Sequence, residues 1–576
     1  APAVDASCAS LPLDEIRKRT TNPKCPDLVP TPVTLTMGIP AVLPTSVLAM
    51  YWVYTTFKGS PLTMAALNVM LGSCYVGLAV LYFFFSRYDS ITAGNAINVD
   101  NFTCSAASFT DRAKTSFLHS LTIGQRNKSL VPIKLGMMDS PFVPNLKVSG
   151  SLSTMKDAQP LTLSPKKAVV VGTIRMGFGH HRIAYAASSW ALAQSDVTTV
   201  FHDLLAVHSE ESSLIDATEV IYSKGSRLAS EIGGPAEWVW GALTKSGDAN
   251  ALRSTNQMAE HIRPLLLGLP KDTPIIATHS LVGHTAVAAG FKHVINLVID
   301  NYPQWFIIAP GAINLVQGPT NYAHFLKMGV PPEHLRLAGH WIPRDLVENI
   351  DEDCKVRKER LEAGKPLRLL IPVGGAGAQK HFVTNLLIAL KEDIRQGTVQ
   401  VMLNAGDHKH MKTAFEEALA TMGIKSGEYT VVKDIEGVHS FIDTARAGGE
   451  AAHGATLFAF NDYFPAVAAT DLLSRIADVL VCKPSELAFY PVPKLMIRRV
   501  GDHEAHSAVR AAELGDGTPE VREVGEAAEW VRLMREKGGM LATFNDQIVA
   551  NNKQAVYDGC KEAVRLAMEL AAGELE

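Results

Sequence analysis

Two stretches of this chain follow one plan: an aliphatic run, a glycine-rich turn, then small and apolar residues at helical spacing. The first is Val169-Val170-Val171, then Gly172-Thr-Ile-Arg-Met-Gly177-Phe-Gly179-His180-His181, then Ile183–Leu192. The second begins at Leu367–Val373, turns through Gly374-Gly375-Ala-Gly377-Ala-Gln379, and enters a helix running to about Glu392. A strand that feeds a helix through a glycine turn commits the chain to parallel pairing, because the next strand is reached only by a crossover. Further strands are expected at 197–202, 274–278, 294–299 and 313–317, with helices near 181–194, 213–231, 253–267, 282–290 and 321–328. After the restart, strands are expected at 399–404, 429–433, 478–482 and 495–500. The expected fold class is therefore α/β, with two Rossmann-like halves and a cleft between the facing carboxyl ends of their strands. The charge run Asp351–Glu362 reads as a solvated helix at the junction, and Lys553–Leu570 as a packing helix that crosses back over the first half.

Ahead of these halves, residues 28–57 and 59–86 carry no charge and only Lys58 interrupts them. The best helical cores, Ile39–Phe57 and Leu62–Phe85, are each near the roughly 20 residues that span a bilayer. A transmembrane hairpin turning at Lys58-Gly-Ser-Pro61 is expected. A single span, or a buried hairpin in a soluble protein, are the alternatives. Arg17, Lys18, Arg19 and Lys24 flank one end and Arg87, Arg112 and Lys114 the other. The positive-inside rule then sets the globular part on the matrix or stroma side of an organelle inner membrane, mitochondrial or plastid. The first residue is Ala1, which suits removal of a targeting peptide. The expected divisions are 1–38 as an N-terminal segment, 39–86 as the hairpin and 87–165 as an irregular Ser-, Thr- and Pro-rich linker, then 166–347 and 348–545 as the two halves and 546–576 as the final helix.

A net charge of −4 over 576 residues argues against a nucleic-acid surface. The seven cysteines are scattered, with neither a disulfide framework nor a C-x-x-C pair. Asp407-His408-Lys409-His410 lacks a matching ligand set nearby, so no metal site is expected.

The order of these motifs resembles glycosyltransferases of the two-Rossmann (GT-B) architecture. The nearest likeness is to the group containing monogalactosyldiacylglycerol synthase, processive diacylglycerol glucosyltransferases and the peptidoglycan N-acetylglucosaminyltransferase. Gly179-His180 followed by Ala184, then Ala277-Thr-His279-Ser-Leu281, then Asp300-Asn-Tyr-Pro-Gln-Trp305-Phe306 run in step with that group. So do Leu337-Ala-Gly339-His340-Trp-Ile-Pro343 and Gly374-Gly-Ala-Gly377. The likeness spans roughly residues 165–515 and departs at Lys483-Pro-Ser485-Glu486, where the group has Lys-x-Gly-Gly-x-Thr.

The resemblance implies transfer of a sugar from a nucleotide-diphosphate donor, used as substrate rather than cofactor, to a membrane lipid or lipid-linked acceptor. His180 or Asp300 would deprotonate the acceptor hydroxyl. Gly177, Gly179, His181 and His279 would line the first-half side, with Arg182 free to face phosphate or solvent. Gly374, Gly375, Gly377, Lys483, Glu486, Arg499 and Glu504 would line the donor side. Helix N-termini at both glycine turns favour a phosphate or another anion. Two readings from other classes stay open: an inactive accessory subunit of an organellar membrane complex, and a soluble sugar-phosphate or nucleotide sensor.

Overall fold

The computed structural model describes Tyr51 and residues 61–122, 131–176, 178–217, 248–374, 379–449, 454–500, 504–537 and 539–572. The chain falls into two compact units, one within residues 20–130 and one comprising residues 131 onward.

In the smaller unit, α1 (Pro61–Ser86) is apolar all round, and α2 (Phe109–Thr122) folds back on its end. Phe84 meets Phe117 edge-on at 5.5 Å, Phe85 stacks on Phe109 at 4.8 Å, and Arg112 covers Phe85 and Tyr88 while pairing with Asp89. The stretch Leu71–Thr92 is long and apolar enough to cross a membrane, and only 6% of it is buried. Among the described residues it is the one helix of that kind. The other expected arm, 39–57, lies outside the described residues apart from Tyr51.

The larger unit holds two sheets. The first runs in the order β3-β1-β2-β5-β4-β6-β7-β8-β9. Its strands are β1 (Leu135–Asp139), β2 (Lys147–Ser151), β3 (Gln159–Pro160), β4 (Ala168–Thr173), β5 (Thr198–Asp203), β6 (Ile275–Ala277), β7 (Val294–Leu297), β8 (Ile313–Val316) and β9 (Leu335–Leu337). Everything from β2 to β9 is parallel; only β1 pairs antiparallel, with β2 and β3. β4 is buried along its whole length, which is why it reads as an unbroken valine run rather than an alternating one. Helices α3 (Gly179–Ala191), α4 (Ala249–Ile262), α5 (Ser280–Ala288) and α6 (Pro319–Met328) connect the strands.

The second sheet runs β12-β13-β11-β10-β14-β15, all parallel. It is made of β10 (Leu367–Pro372), β11 (Val399–Gly406), β12 (Thr430–Val432), β13 (Ala455–Ala459), β14 (Val479–Cys482) and β15 (Lys494–Met496). Around it lie α7 (Ile350–Glu362), α8 (Lys380–Ala389), α9 (Lys409–Thr421), α10 (Ile435–Arg446), α11 (Tyr463–Ser474), α12 (Ala505–Leu514), α13 (Val524–Met534) and α14 (Met540–Lys553). The last helix, α15 (Gly559–Ala572), lies on the first half against α3, β4 and β6. One apolar core runs through both halves, from Val169 and Ile276 to Leu370, Phe458 and Leu480.

Three expectations change. The span 87–165 is not an irregular linker: residues 135–160 supply β1, β2 and β3, and β2 docks beside β5. Those strands carry Gly136, Gly150, Ser149 and Ser151 and show no apolar alternation, so periodicity misses them. The Asp351–Glu362 helix is solvated on one face only. Arg357 is buried and donates to the carbonyls of Ala477 (2.8 Å), Ser474 (3.0 Å) and Pro491 (3.3 Å). β9 and β13 were not expected; the first is three residues long, and the second reads as an ordinary apolar run behind Gly454.

Candidate active site at the facing strand ends

After β1–β3 the chain lays down β4, moves to β5 on one side and then crosses to β6 on the other. Such a reversal marks the carboxyl ends of β4 and β6 as the candidate crevice, the place where open parallel sheets bind ligands. α3 follows β4 there and α5 follows β6, so their first turns deliver His180 and His279 side by side, rings 4.4 Å apart.

His180 bonds through Nδ1 to the Thr278 carbonyl at 2.9 Å. A carbonyl only accepts, so Nδ1 carries the proton and Nε2 is left as an acceptor. Burial lowers the His180 pKa below its ordinary 6.5, opposed by the Thr278 bond and by the charges of Asp300 and Glu486. His279 caps α5, its Nδ1 accepting from the Leu281 N–H at 3.1 Å, and burial beside His180 and His284 holds it far below the usual histidine range. Asp300 stands exposed just beyond β7, near enough for its charge to reach His180. Asn301, next to it, is buried and donates to Ser507 Oγ of α12 at 3.3 Å, crossing to the second half.

His181 turns away from the crevice. It is buried, 3.2 Å from Asp203, within an edge-on cage of Tyr185, Phe201 and Tyr463. Arg182 faces neither phosphate nor solvent. It bonds Asp471 Oδ1 of α11 at 2.6 Å and the Val467 carbonyl at 3.2 Å, and Tyr490 donates to the same Asp471 oxygen at 2.7 Å. Burial raises the Asp471 carboxyl above its ordinary range despite the guanidinium beside it. Phe178, in the glycine turn, inserts between Tyr463 (5.1 Å) and His408 (5.3 Å) of the second half. Asp407–His410 is thus part of the contact between halves, and among the described residues no cluster has metal-site composition. Gly177, Gly375 and Gly377 lie outside the described residues.

The second half reverses direction between β10 and β14, and Gly374 and Lys483 meet at those ends; a Cβ on Gly374 would stand 3.7 Å from Lys483 Cε. Lys483 is ion-paired with Glu504, which also accepts from the Val500 N–H at 2.7 Å. Arg499 is held by Glu520 at 2.6 Å. Glu486 does not stay on the donor side. Its carboxylate lies against the first residue of α3, 3.3 Å from where a Gly179 Cβ would sit. A Cβ there would press on the carboxylate, which would have to yield by a few tenths of an ångström.

Sequence reasoning missed Thr278, which fixes the His180 tautomer and also bonds the His180 carbonyl through Oγ1 at 3.2 Å. It also missed a buried relay: Arg510 donates to His340 Nε2 at 3.3 Å, and His340 Nδ1 donates to Gln317 at 2.8 Å. His340 stacks on Phe489 at 4.2 Å, again joining the halves. No local signal marks either arrangement, since Thr278 lies 98 residues from His180 and Arg510 lies 170 from His340 in the chain.

Residues 123–327 match a domain of unknown function, DUF6937, and residues 330–568 match a second, DUF6938. No curated protein matches the chain. Among solved structures the chain is similar to the UDP co-structure of S. aureus MnaA, with 8% identity, a TM-score of 0.38, and 69% of this chain and 94% of that one covered. It is also similar to Neisseria meningitidis UDP-GlcNAc 2-epimerase bound to UDP-GlcNAc (12%, TM-score 0.39, 69% and 98%). A third is the alpha,alpha-trehalose 6-phosphate synthase of Burkholderia multivorans (10%, TM-score 0.39, 71% and 100%). The two-sheet architecture rests on the strand order itself, not on these distant likenesses.

Proposed function

We propose that this protein is a membrane-anchored glycosyltransferase of GT-B type, moving a sugar from a nucleoside diphosphate to a hydroxyl of a lipid or lipid-linked acceptor. The observation that carries this reading is His180. It is neutral, fixed in one tautomer by Thr278, and set with Nε2 as a base at the first half's topological switch point, beside Asp300. In the proposed step, Nε2 takes the acceptor hydroxyl proton as the oxygen attacks the anomeric carbon. The bond from that carbon to the diphosphate oxygen breaks, and the diphosphate leaves. Asp300 stabilises the imidazolium by charge. The Gly374 end of β10, with the amino end of α8, receives the diphosphate. Support for the membrane part comes from the exposed apolar stretch Leu71–Thr92 and its aromatic end, with globular residues on the matrix or stroma side by the flanking cations.

One observation favours a second reading, a glycosyltransferase-like accessory subunit without turnover. Lys483 and Arg499, the cations best placed for a diphosphate, are paired with Glu504 and Glu520. The decisive assay uses full-length protein in lipid nanodiscs, titrated with UDP-galactose, UDP-glucose and UDP-N-acetylglucosamine, and then scored for transfer of labelled sugar to diacylglycerol in vesicles. One donor is expected to bind and to support transfer, with His180→Asn lowering the rate by about 100-fold or more while binding persists. If no donor binds, the accessory reading takes its place.

A further inference from the structure

A cavity of about 160 Å³ lies at the amino ends of β10, β11 and β14, the opposite end of the second sheet from the candidate crevice. At about 3.3 Å per residue, β10 sets it roughly 20 Å from Gly374. Arg357, Lys365, Arg535 and Lys537 line it against one carboxylate, Asp478. Asp478 is already held by Arg360 at 3.4 Å and by the Arg368 N–H at 2.9 Å, and Arg535 is paired with Asp393 at 2.8 Å. Lys365 and Lys537 are exposed, and no described carboxylate pairs with either. Arg357 is the more telling group. It is 2% exposed and donates to the carbonyls of Ala477, Ser474 and Pro491 and, at 3.7 Å, to Cys354 Sγ. These contacts use four of its five N–H groups, and none of the acceptors carries a full charge. A buried cation without a counter-ion is costly, and an anion in the cavity would supply one. The carbonyls meanwhile fix the guanidinium before any ligand arrives.

We propose that this cavity binds a single phosphate group, free or carried on a small soluble metabolite, at a site separate from the candidate active site. Lys365 and Lys537 hold the oxyanion from the rim, and Arg357 supplies charge from the buried wall. Size sets the ligand class. The volume falls below the roughly 300–1,000 Å³ of pockets for drug-sized ligands, so one phosphate group fits and a nucleotide sugar does not. Entry is open, since a Cβ on Gly364 or Gly397 in the lining would meet nothing within 4 Å. The apolar lining, Leu361, Leu367 and Leu541, is buried and offers no exposed strip for an acyl chain, which favours a soluble ligand over a lipid. The site stands apart from the transferase reading, and its detection needs no turnover.

The test titrates inorganic phosphate and glycerol 3-phosphate calorimetrically into the full-length protein in phosphatidylcholine nanodiscs, with hydrogen exchange read over residues 361–367 and 394–399. Wild type is expected to bind both and to gain protection in both segments. Lys365→Gln combined with Lys537→Gln should weaken binding by at least about tenfold and remove that protection, because two charge-assisted contacts are lost. Lys365→Arg combined with Lys537→Arg should keep it. Both lysines are exposed, so these changes spare the fold, and an unchanged urea midpoint verifies this. No binding by wild type, or equal affinity of wild type and the glutamine variant, overturns the proposal. Protection confined to 178–184 or 373–380 would place the anion in the crevice and also overturn it. So would protection of 361–367 and 394–399 by phosphatidylglycerol vesicles but not by free phosphate, which would make the site a lipid surface.

Discussion

His180 and His181 are neighbours with opposite roles, and one backbone step decides which. The first turn of α3 points His180 at the switch-point crevice and rotates His181 into the aromatic cage against Asp203. Burial that outweighs its opposing contacts has a second effect elsewhere in the first half. His202, bonded to Ser149 Oγ at 2.8 Å, and His284, bonded to the Phe306 carbonyl at 3.1 Å, are both pushed down from 6.5 to about 4 by burial. Their neutral forms fit the fold, whereas in the unfolded chain both protonate near pH 6.5. Their contribution is therefore complete above pH 6.5 and is lost as pH falls towards 4. Linkage puts the loss at about 2 kcal/mol per histidine by pH 5. Urea unfolding at pH 7 and pH 5 should show it, and His202→Asn should flatten the pH dependence by roughly one histidine's share. Equal stability of wild type at the two pH values would contradict this.

At the scale of elements, the legible parts were those whose burial is symmetrical. β4 and β10 are covered on both faces, so their aliphatic runs announce them, and the glycine turns after them mark where the helices begin. β1–β3 were illegible because short strands carrying glycine, serine and methionine at one end of the sheet are held by backbone pairing rather than by an apolar face. The candidate site was half visible. His180, His279 and Asp300 follow strands and could be placed at strand ends, while Glu486 could not be brought to Gly179 without knowing how the halves meet. α15 shows how tightly one joint is made. The Gly559 N–H donates to the His340 carbonyl at 3.0 Å, and a Cβ on Gly559 would strike the Gly339 carbonyl oxygen and come within 2.7 Å of that of His340. Backbone cannot yield as a side-chain tip does. Gly559→Ala should therefore destabilise the protein by about 1–3 kcal/mol, measured by urea midpoint at constant slope. A midpoint shift near zero would mean that α15 is not seated at this joint.

Across the larger unit, the two sheets share a core and a set of polar locks. Arg182–Asp471–Tyr490, Arg510–His340–Gln317 and the Phe178 insertion all cross between halves at or beneath the crevice. The halves are thus held with Glu486 of the second against Gly179 at the α3 mouth of the first, and the proposed function sets the Gly374 end of the second sheet opposite that mouth. The account stands on that opposition: one crevice, with nucleophile chemistry on the first sheet and leaving-group chemistry on the second. Hydrogen exchange of the full-length protein with UDP-galactose, UDP-glucose or UDP-N-acetylglucosamine bound tests it directly. The account predicts simultaneous protection of the turn from Thr173 to His180 and of the segment from Val373 to Lys380. Protection confined to one sheet, or found at neither turn, would contradict it.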